Sequence, residues 1–450
     1  MPVETPVDAN VFDPAVQEAI ASGELRMTPE QAMRVYNDMP LPELGRWADA
    51  RCRAMHGDHI RTYVLDRNIN YTNVCTAKCT FCAFRRDGDE SDAYTLTTEQ
   101  LLAKVQGIVD VGGRQILMQG GMNPDLPLSW YTELLEAIGD RFPQVHIHAF
   151  SPPEIIEFVH WFGGPGDDLA SRVRWVLQQL QAAGLQSIPG GGGEIFAPAV
   201  RRKIGLGKCD ADAWLTVMRV AHELGMHTSA TMMFGHIEGV ADRIHHMDLV
   251  RRAQDRSISD FGLSGGGRYV SFISWPFQSE NSPLGRVAEW GTMPGDDEGG
   301  PFPGDVVAKL DGSGTKDTHG DFGRRVRLAG ANTYLRTQAI SRLFLDNIYS
   351  IGASWVTMGP GIGQVALCYG ANDLGSIMLE ENVVSAAGTT WCLDEQTLQR
   401  MICDAGFTPA ERNNSYEIVA LHNGAEESPT INLPVHRTAS ACETPQHMQQ

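Results

Sequence analysis

Short runs rich in β-branched and aromatic residues alternate with longer amphipathic runs over most of this chain, and this alternation constrains the fold more than any other feature. One helical run is well delimited. Thr97 and Gln100 are spaced as a capping box ahead of LLAKVQGIV, whose apolar residues share one face, and Gly112 marks its end. Strands that alternate with helices in this way build a parallel sheet, because each helix carries the chain back to where the next strand starts.

The alternating pattern contains eight candidate strands. They are Asn68–Thr72, Gln115–Gln119, Val145–Ala149, Gln186–Ile188, Thr228–Met233, Tyr269–Ser274, Ala353–Thr357 and Val365–Tyr369. Eight strands with mostly helical connections predict an α/β fold, a (β/α)8 barrel of the TIM type. The last connection is too short for a full helix, so a doubly wound sheet stays as the alternative, although no strand is followed by a Gly-x-Gly-x-x-Gly fingerprint.

Three segments differ from the rest in composition. Residues 1–66 hold three helical runs and are predicted to be an N-terminal helical extension ahead of a barrel at 67–422. Residues 288–325 are rich in Gly, Pro and Asp without apolar periodicity, which indicates an insertion, either a lid or a disordered loop. The polar segment 423–450 is predicted to be a frayed C-terminal tail.

The charge balance narrows the function classes. The chain has 36 Lys and Arg against 55 Asp and Glu, a formal net charge of −19, with no long basic run. Nucleic acids and anionic membrane surfaces attract basic proteins, so neither is expected as a partner. The polar, Pro-rich start of the chain resembles no signal peptide, and no apolar stretch is long enough to span a membrane, so we expect a cytoplasmic protein.

Three of the nine cysteines, Cys75, Cys79 and Cys82, are clustered directly after the first candidate strand, where barrel active sites are built. One loop with this spacing can direct three thiolates at a [4Fe-4S] cluster and leave one iron without a protein ligand, whereas a ferredoxin cluster uses four cysteines. Tetrahedral zinc is the alternative, but it needs a fourth ligand, and His56 and His59 are poorly placed upstream of the strand.

The C-x3-C-x-Phe-C loop after the first strand resembles the radical S-adenosylmethionine (SAM) superfamily. The resemblance implies that SAM chelates the open iron and that one-electron reduction cleaves it to methionine and a 5′-deoxyadenosyl radical. It further implies a one-electron donor such as flavodoxin or ferredoxin as partner. It assigns SAM binding to six residues in three segments after strands and in the loop itself: Phe81, Gln119, Gly120, Gly121, Ser151 and Glu238.

Further segments resemble one family of radical SAM enzymes, the dehypoxanthine futalosine cyclases of menaquinone biosynthesis. They are HIHAFSPPEI at 146–155, IPGGGGEI at 188–195, ATMMFGHIE at 230–238, SWPFQ at 274–278 and GANDLGSIMLEENVVSAAG at 370–388. Aminofutalosine synthases share the cluster loop and the glycine-rich segment, but SWPFQ and the 380–388 run favour the cyclases. The FO synthase half and a non-catalytic Fe–S redox protein are the remaining alternatives.

The family's reaction, as the resemblance implies it, removes the C4′ hydrogen of dehypoxanthine futalosine and closes a ring onto its benzoate group. Loss of an electron and a proton restores the aromatic ring, so the site needs a base. His148, Glu194 and His236 are the catalytic candidates because each lies at or just after a strand end. Glu154, Asn372 and Asp373 occupy similar positions. A structural hydrogen-bonding role is the alternative for each of them.

Overall fold

The computed structural model describes residues 2–286 and 326–422, except positions 7 and 390. The predicted insertion at 288–325 and the predicted tail at 423–450 lie outside the described residues.

Fifteen α-helices are found in the described ranges. They are α1 Pro14–Ser22, α2 Pro29–Asp38, α3 Leu41–His56, α4 Thr98–Asp110, α5 Leu128–Arg141, α6 Pro152–Phe162, α7 Leu169–Ala182, α8 Pro198–Ile204, α9 Ala211–Glu223, α10 Val240–Gly265, α11 Ala331–Phe344, α12 Trp355–Met358, α13 Pro360–Ala366, α14 Val383–Ala386 and α15 Glu395–Asp404. The capping box predicted at α4 is present, since Gln100 N donates to Thr97 Oγ1 at 3.3 Å and Thr97 N donates to Gln100 Oε1 at 2.9 Å.

Thirteen strands accompany them. They are β1 Val3–Glu4, β2 Leu25–Arg26, β3 Ile60–Val64, β4 Asp66–Ile69, β5 Gln115–Met118, β6 His146–Ala149, β7 Ser187–Ile188, β8 His227–Phe234, β9 Tyr269–Pro276, β10 Ser350–Gly352, β11 Asp373–Ser376, β12 Thr408–Arg412 and β13 Ile418–Leu421. Strands β1 and β2 pair with each other, and the other eleven form one sheet.

The large sheet curls into a barrel. Strands β4 to β11 follow one another in sequence order with parallel pairing, and β11 then pairs with β3. Only Leu65 separates β3 from β4, so Val64 pairs with Ser376 while Asp66 pairs with Gln115. The first strand therefore contacts both ends of the parallel series, which confirms the predicted α/β barrel.

The N-terminal helices pack on the outside of this barrel. Helix α3 packs against α11 and α1, and α2 packs against α10 and α11. A buried Arg26 fixes this contact, because its guanidinium donates to Asp255 at 2.6 Å and to Asp346 at 2.8 Å. The three helical runs predicted for this region are confirmed, but residues 60–64, predicted as part of the same helical extension, form the barrel strand β3.

Two of the eight predicted strands are wrong. Residues 353–357 mostly form the short helix α12, and the run from Val365 to Tyr369 begins inside α13 and continues as a turn. Short apolar runs suit a buried helical turn as well as a strand, and periodicity cannot separate the two. The seventh strand is β10, just upstream. The eighth, β11 (DLGS), contains Gly375 at φ 68° and has weak strand character, and it exists because β10 and β3 pair with it.

Candidate active site

The barrel encloses a cavity of about 440 Å³, a size suited to small molecules. Its cluster end lies at the carboxyl ends of the strands and comprises the Cys75–Cys82 loop, the Gln119–Gly121 segment, Glu194 and Lys208. Its far end lies towards the amino ends of the strands. The residues of the far end are Asp66, His148, Ser187, Asp373, Arg412, Asn414 and Tyr416, all of which line the cavity except Ser187, which contacts His148.

The cysteine loop is held by backbone hydrogen bonds from three separate parts of the barrel. Thr76 N donates to Met122 O at 2.9 Å, Thr80 N donates to Ile204 O at 2.9 Å, and Leu284 N donates to Thr80 O at 2.7 Å. These bonds come from the segments that follow β5, β7 and β9. The barrel therefore presets the shape of the loop, and all three cysteines line the cavity.

The donor chemistry of this loop fits an iron–sulfur cluster. The three thiols are free, and burial raises the pKa of Cys79 to about 12, so a cation must accompany ionisation of that thiol. Among the described residues, no three His, Cys, Asp or Glu side chains are spaced to hold a single metal ion. Ligands of a four-iron cluster stand farther apart than ligands of one ion, because each cysteine binds a different iron.

The predicted Gly-Gly element packs directly on the cysteine loop. A Cβ at Gly121 would lie 2.1 Å from Val74 O and 2.9 Å from Cys75 Cβ, and a Cβ at Gly120 would lie 2.5 Å from the Tyr71 ring. Gly121 N donates to Thr72 O at 2.9 Å, and Gly120 N donates to Glu154 Oε1 at 3.2 Å. The N–H groups of both glycines are thus used within the protein, and their carbonyl oxygens are the atoms that can accept from an ammonium group.

Glu154 connects this element to the segment after β6. It accepts from Tyr71 Oη at 2.5 Å and from both the backbone N and the Oγ of Ser151, at 2.8 and 2.5 Å. Together with the bond from Gly120 N, its two oxygens accept four hydrogen bonds. This saturation makes Glu154 a positioning residue, and it places Ser151 on the cavity wall beside the Gly-Gly element.

Glu194 lies at the cluster end with a left-handed backbone, φ 41°, which is uncommon for a residue other than glycine. Its Oε1 is 2.9 Å from Lys208 Nζ, and the ammonium lies 5.0 Å from the centroid of the Phe81 ring. Although burial opposes the charged form, the Glu194 carboxylate holds the pKa of Lys208 above its usual range. Sequence reasoning missed Lys208, since a single lysine after a short helix carries no distinguishing pattern.

His236 and Glu238 are not among the residues that line the cavity, whereas the other residues predicted as catalytic, SAM-binding or cluster-binding are. Glu238 is fully buried, lies 2.6 Å from Arg243 Nη2 and accepts from Gly235 N and His236 N at 2.7 and 2.8 Å. Burial raises its pKa, but His236 and Arg243 outweigh this and leave the pKa below its ordinary value. The Glu238 element, predicted to bind SAM, is thus an internal ion-pair cluster that shapes the turn after β8.

The far end of the cavity contains a second buried ion pair. Asp373 accepts from Arg412 Nε at 2.6 Å and Arg412 Nη2 at 3.0 Å, and Thr62 Oγ1 donates to it at 2.5 Å. Asp66 lies on the same wall, and burial raises its pKa to about 6. Asn372 does not line the cavity. Its Oδ1 accepts from Arg342 and Ile351 N, which is the structural role left open for it.

The 380–388 run covers one side of the cavity. Glu380 pairs with Arg67 and Lys104, each at 2.7 Å, and Glu381 accepts from Asn68 Nδ2 at 2.9 Å. Glu381 lines the cavity, and burial raises its pKa. The run therefore attaches to the first barrel strand and its helix through ionic contacts.

Within the described ranges, no helix is both long and apolar enough to cross a membrane.

Comparison with known proteins identifies the superfamily to which this protein belongs. The model of the radical SAM superfamily matches residues 69–250, and the model named CofH/MqnC C-terminal region matches residues 317–425. The chain belongs to the radical SAM superfamily, and its cofactors are a [4Fe-4S] cluster and SAM.

Curated relatives cover nearly the whole chain. A cyclic dehypoxanthine futalosine synthase of Halalkalibacterium halodurans is 37% identical over 90% of this chain and 94% of its own length. A 5-amino-6-(D-ribitylamino)uracil–L-tyrosine 4-hydroxyphenyl transferase of Methanopyrus kandleri is 34% identical over 93% of this chain and its full length, 100%. An aminodeoxyfutalosine synthase of Thermus thermophilus is 33% identical over 91% and 96%.

Among solved structures, the [FeFe]-hydrogenase maturase HydG has the same fold. It superimposes with a TM-score of 0.60 at 12% identity and covers 91% of this chain and 77% of its own.

Proposed function

We propose that this enzyme is a cyclic dehypoxanthine futalosine synthase, which converts dehypoxanthine futalosine to its cyclic form in menaquinone biosynthesis. The observation that carries the proposal is one cavity whose wall combines the cysteine loop with residues 373–384 and 412–416 of the C-terminal region. That region is the part matched by the CofH/MqnC model, and the similarity to the named synthase extends through both parts.

Three groups of residues at the cluster end take the cofactor roles in this proposal. Cys75, Cys79 and Cys82 hold the cluster through their thiolates, and the carbonyls of Gly120 and Gly121 receive the SAM ammonium group. When bound, the reduced cluster and SAM supply a 5′-deoxyadenosyl radical. Phe81 would contact the adenosyl group, and a small flavodoxin or ferredoxin would donate the electron.

Glu194 and Lys208 form the charged part of this binding surface. Their ion pair faces the cavity beside the Phe81 ring, so the Glu194 carboxylate can accept from ribose hydroxyls while Lys208 attracts a carboxylate. Four consecutive glycines, 190–193, precede Glu194. At Gly193 a Cβ would lie 2.6 Å from the backbone oxygen of Thr231, so this close packing requires glycine.

The reaction places two demands on the barrel. Hydrogen removal from C4′ leaves a carbon radical that would react with many side chains, so the substrate must be held with its benzoate ring next to C4′. A cavity of about 440 Å³ inside the barrel restricts the substrate to few conformations. After the ring closes, one electron and one ring proton must leave, and the proton requires a base on the cavity wall.

A label transfer experiment tests the proposal. The reconstituted enzyme is incubated anaerobically with SAM, dithionite and dehypoxanthine futalosine deuterated at C4′. We expect deuterium in 5′-deoxyadenosine and a cyclic product, followed by mass spectrometry, with the Cys79→Ala variant as the inactive control.

The two other relatives define the contrary outcomes. If the enzyme were an aminodeoxyfutalosine synthase, adenosine carbons would be found in the product when an enolpyruvyl benzoate is supplied. If the enzyme were a 4-hydroxyphenyl transferase, it would turn over L-tyrosine and 5-amino-6-(D-ribitylamino)uracil. Either result, with unlabelled 5′-deoxyadenosine from the futalosine substrate, would overturn the assignment while leaving the superfamily intact.

A further inference from the structure

Ser187, the first residue of β7, joins two histidines of the neighbouring strand β6. Its Oγ lies 2.6 Å from His148 Nδ1 and 2.7 Å from His146 Nε2. Because side chains two residues apart on a strand point to the same face, both imidazoles reach the same hydroxyl. The three groups form a continuous chain of hydrogen bonds.

The imidazole nitrogen at each outer end of this hydrogen-bonded series has no hydrogen-bond partner among the described residues. His148 lines the cavity, and its Nε2 has no hydrogen-bond partner among the described residues. His146 is partly exposed, and its Nδ1 likewise has no partner in the described part of the protein. One end of the chain therefore faces the substrate cavity, and the other reaches towards solvent.

Asn414 fixes the direction of the hydrogen bonds. Its Nδ2 donates to Ser187 Oγ at 3.0 Å and to His146 Nε2 at 2.9 Å. His146 Nε2 thus accepts, so the His146 proton is on Nδ1, and the single lone pair of Nε2 is shared between the Asn414 N–H and the Ser187 hydroxyl in a three-centre hydrogen bond. Ser187 Oγ can then accept from His148 Nδ1–H, which leaves His148 Nε2 as a free base facing the cavity.

The other bases predicted from the sequence are occupied or lie off the cavity wall. Glu194 is paired with Lys208, Glu154 accepts four hydrogen bonds, and His236 is not on the cavity wall. A base needs a free lone pair within reach of the proton that it takes. Of the three predicted catalytic residues, His148 is the one with such a lone pair on the cavity wall.

We propose that His148, Ser187 and His146 form a proton relay that carries the ring proton of the cyclised substrate out of the cavity. This inference rests on the proposed function, which supplies the proton. After the ring radical loses its electron to a one-electron oxidant, such as an oxidised flavodoxin or ferredoxin, the ring C–H bond breaks and its electron pair restores the aromatic ring. The proton binds His148 Nε2, Nδ1–H passes to Ser187, the Ser187 proton passes to His146 Nε2, and His146 Nδ1 releases a proton to solvent.

The surroundings of the relay keep both imidazoles neutral between turnovers. Burial lowers the pKa of His148 to about 3, helped by His146 and Arg412, and burial lowers the pKa of His146 to about 4, helped by His227. Such histidines pass a proton on instead of retaining it. A weak base is sufficient here, because a ring that has lost an electron and regains aromaticity gives up its proton readily.

The test removes the hydroxyl and keeps both histidines. With Ser187→Ala, 5′-deoxyadenosine should still receive deuterium from C4′, but cyclic product per 5′-deoxyadenosine should fall about tenfold or more, towards the ~10²-fold typical of a lost general base. Deuterium at the ring position that loses its proton should then slow product formation in Ser187→Ala and have no effect on the wild type. Ser187→Thr, which keeps a hydroxyl, should restore the wild-type ratio.

Iron content and SAM binding of both variants serve as the folding check. If Ser187→Ala keeps the wild-type product ratio and shows no ring isotope effect, or if Ser187→Thr behaves like Ser187→Ala, the relay is overturned and the proposed function stands. If the wild type transfers no label from C4′, the proposed function itself fails, whatever the Ser187 variants do.

Discussion

The two ends of the cavity are built in different ways. At the cluster end, one loop of eight residues, Cys75–Cys82, supplies all three thiols, and short segments after β5 and β7 surround it. At the far end each functional group comes from a different part of the chain, from Asp66 to Tyr416, and buried ion pairs and hydrogen bonds hold the groups together. The cluster end is a local motif supported by the barrel, whereas the far end exists only after the barrel has formed.

This difference predicts that a substitution at one end of the cavity impairs that end and leaves the other intact. The largest effect belongs to the cluster end. Cys75→Ala, Cys79→Ala or Cys82→Ala should each abolish iron binding and SAM cleavage, because no other thiol of the described residues lines the cavity. Iron analysis and the absorbance of the reconstituted protein measure this loss. The exposed Cys368→Ser is the matched control, and a loss of iron there would contradict the three-ligand interpretation.

A change at the far end should instead reduce stability and spare the cluster. Arg412→Met leaves the Asp373 carboxylate buried without its partner, which costs about 3–5 kcal/mol of unfolding free energy. Denaturant unfolding of the apoprotein measures it. Arg400→Met removes a half-exposed pair with Asp404 on α15 and should cost about 0.5 kcal/mol. Equal costs for the two variants would show that the far end adds nothing to the fold.

Asp66 allows a pH test of the same end. Its pKa is about 6 in the folded state and 3.8 for an ordinary aspartate, so between these values the folded state binds a proton that the unfolded state has lost. Stability therefore falls as the pH rises through this window, by about 2–3 kcal/mol at most. Asp66→Asn should remove this part of the pH dependence. The measurement is the difference in unfolding free energy between wild type and variant at pH 4 and pH 7, with exposed Asp140→Asn as control.

The smallest expected effect concerns SAM at the cluster end. Glu194→Gln keeps the size of the side chain but removes the charge that pairs with Lys208, and SAM affinity should fall about tenfold, the scale of one hydrogen bond to a charged group. Calorimetric titration of SAM into reconstituted enzyme measures it. Exposed Glu136→Gln should bind SAM like the wild type. An unchanged affinity in Glu194→Gln would leave the ion pair with a purely structural role.

The same contrast explains which features could be predicted from the sequence. Cys75, Cys79 and Cys82 could be assigned because adjacent residues in one loop remain neighbours whatever the fold, and the capping box at Thr97 is local for the same reason. Six of the eight strands could be located because β-branched runs between helices are distinctive. The α/β barrel and the radical SAM family followed from these features.

The far end could not be predicted, because proximity there depends on strand register. Arg412 and Asp373 are 39 residues apart, and Ser187 and Asn414 are 227 apart. A solitary Ser187 shows its role only when the register of β6 and β7 places it beside His148. Similarly, Glu238 has the right sequence position for a cofactor contact, but Arg243, five residues further on, pairs with it in the interior.

The divided first strand has a consequence for synthesis of the chain. Strand β3 is made early, but Thr62 and its partner Asp373 are 311 residues apart, and β12 follows later still. At roughly 5–20 residues per second, the ribosome exposes this strand edge for about 15–60 s before its partners emerge. Unpaired edges promote association between chains. We therefore expect yield in cells to depend on translation speed and on chaperones that shield β3 during this interval.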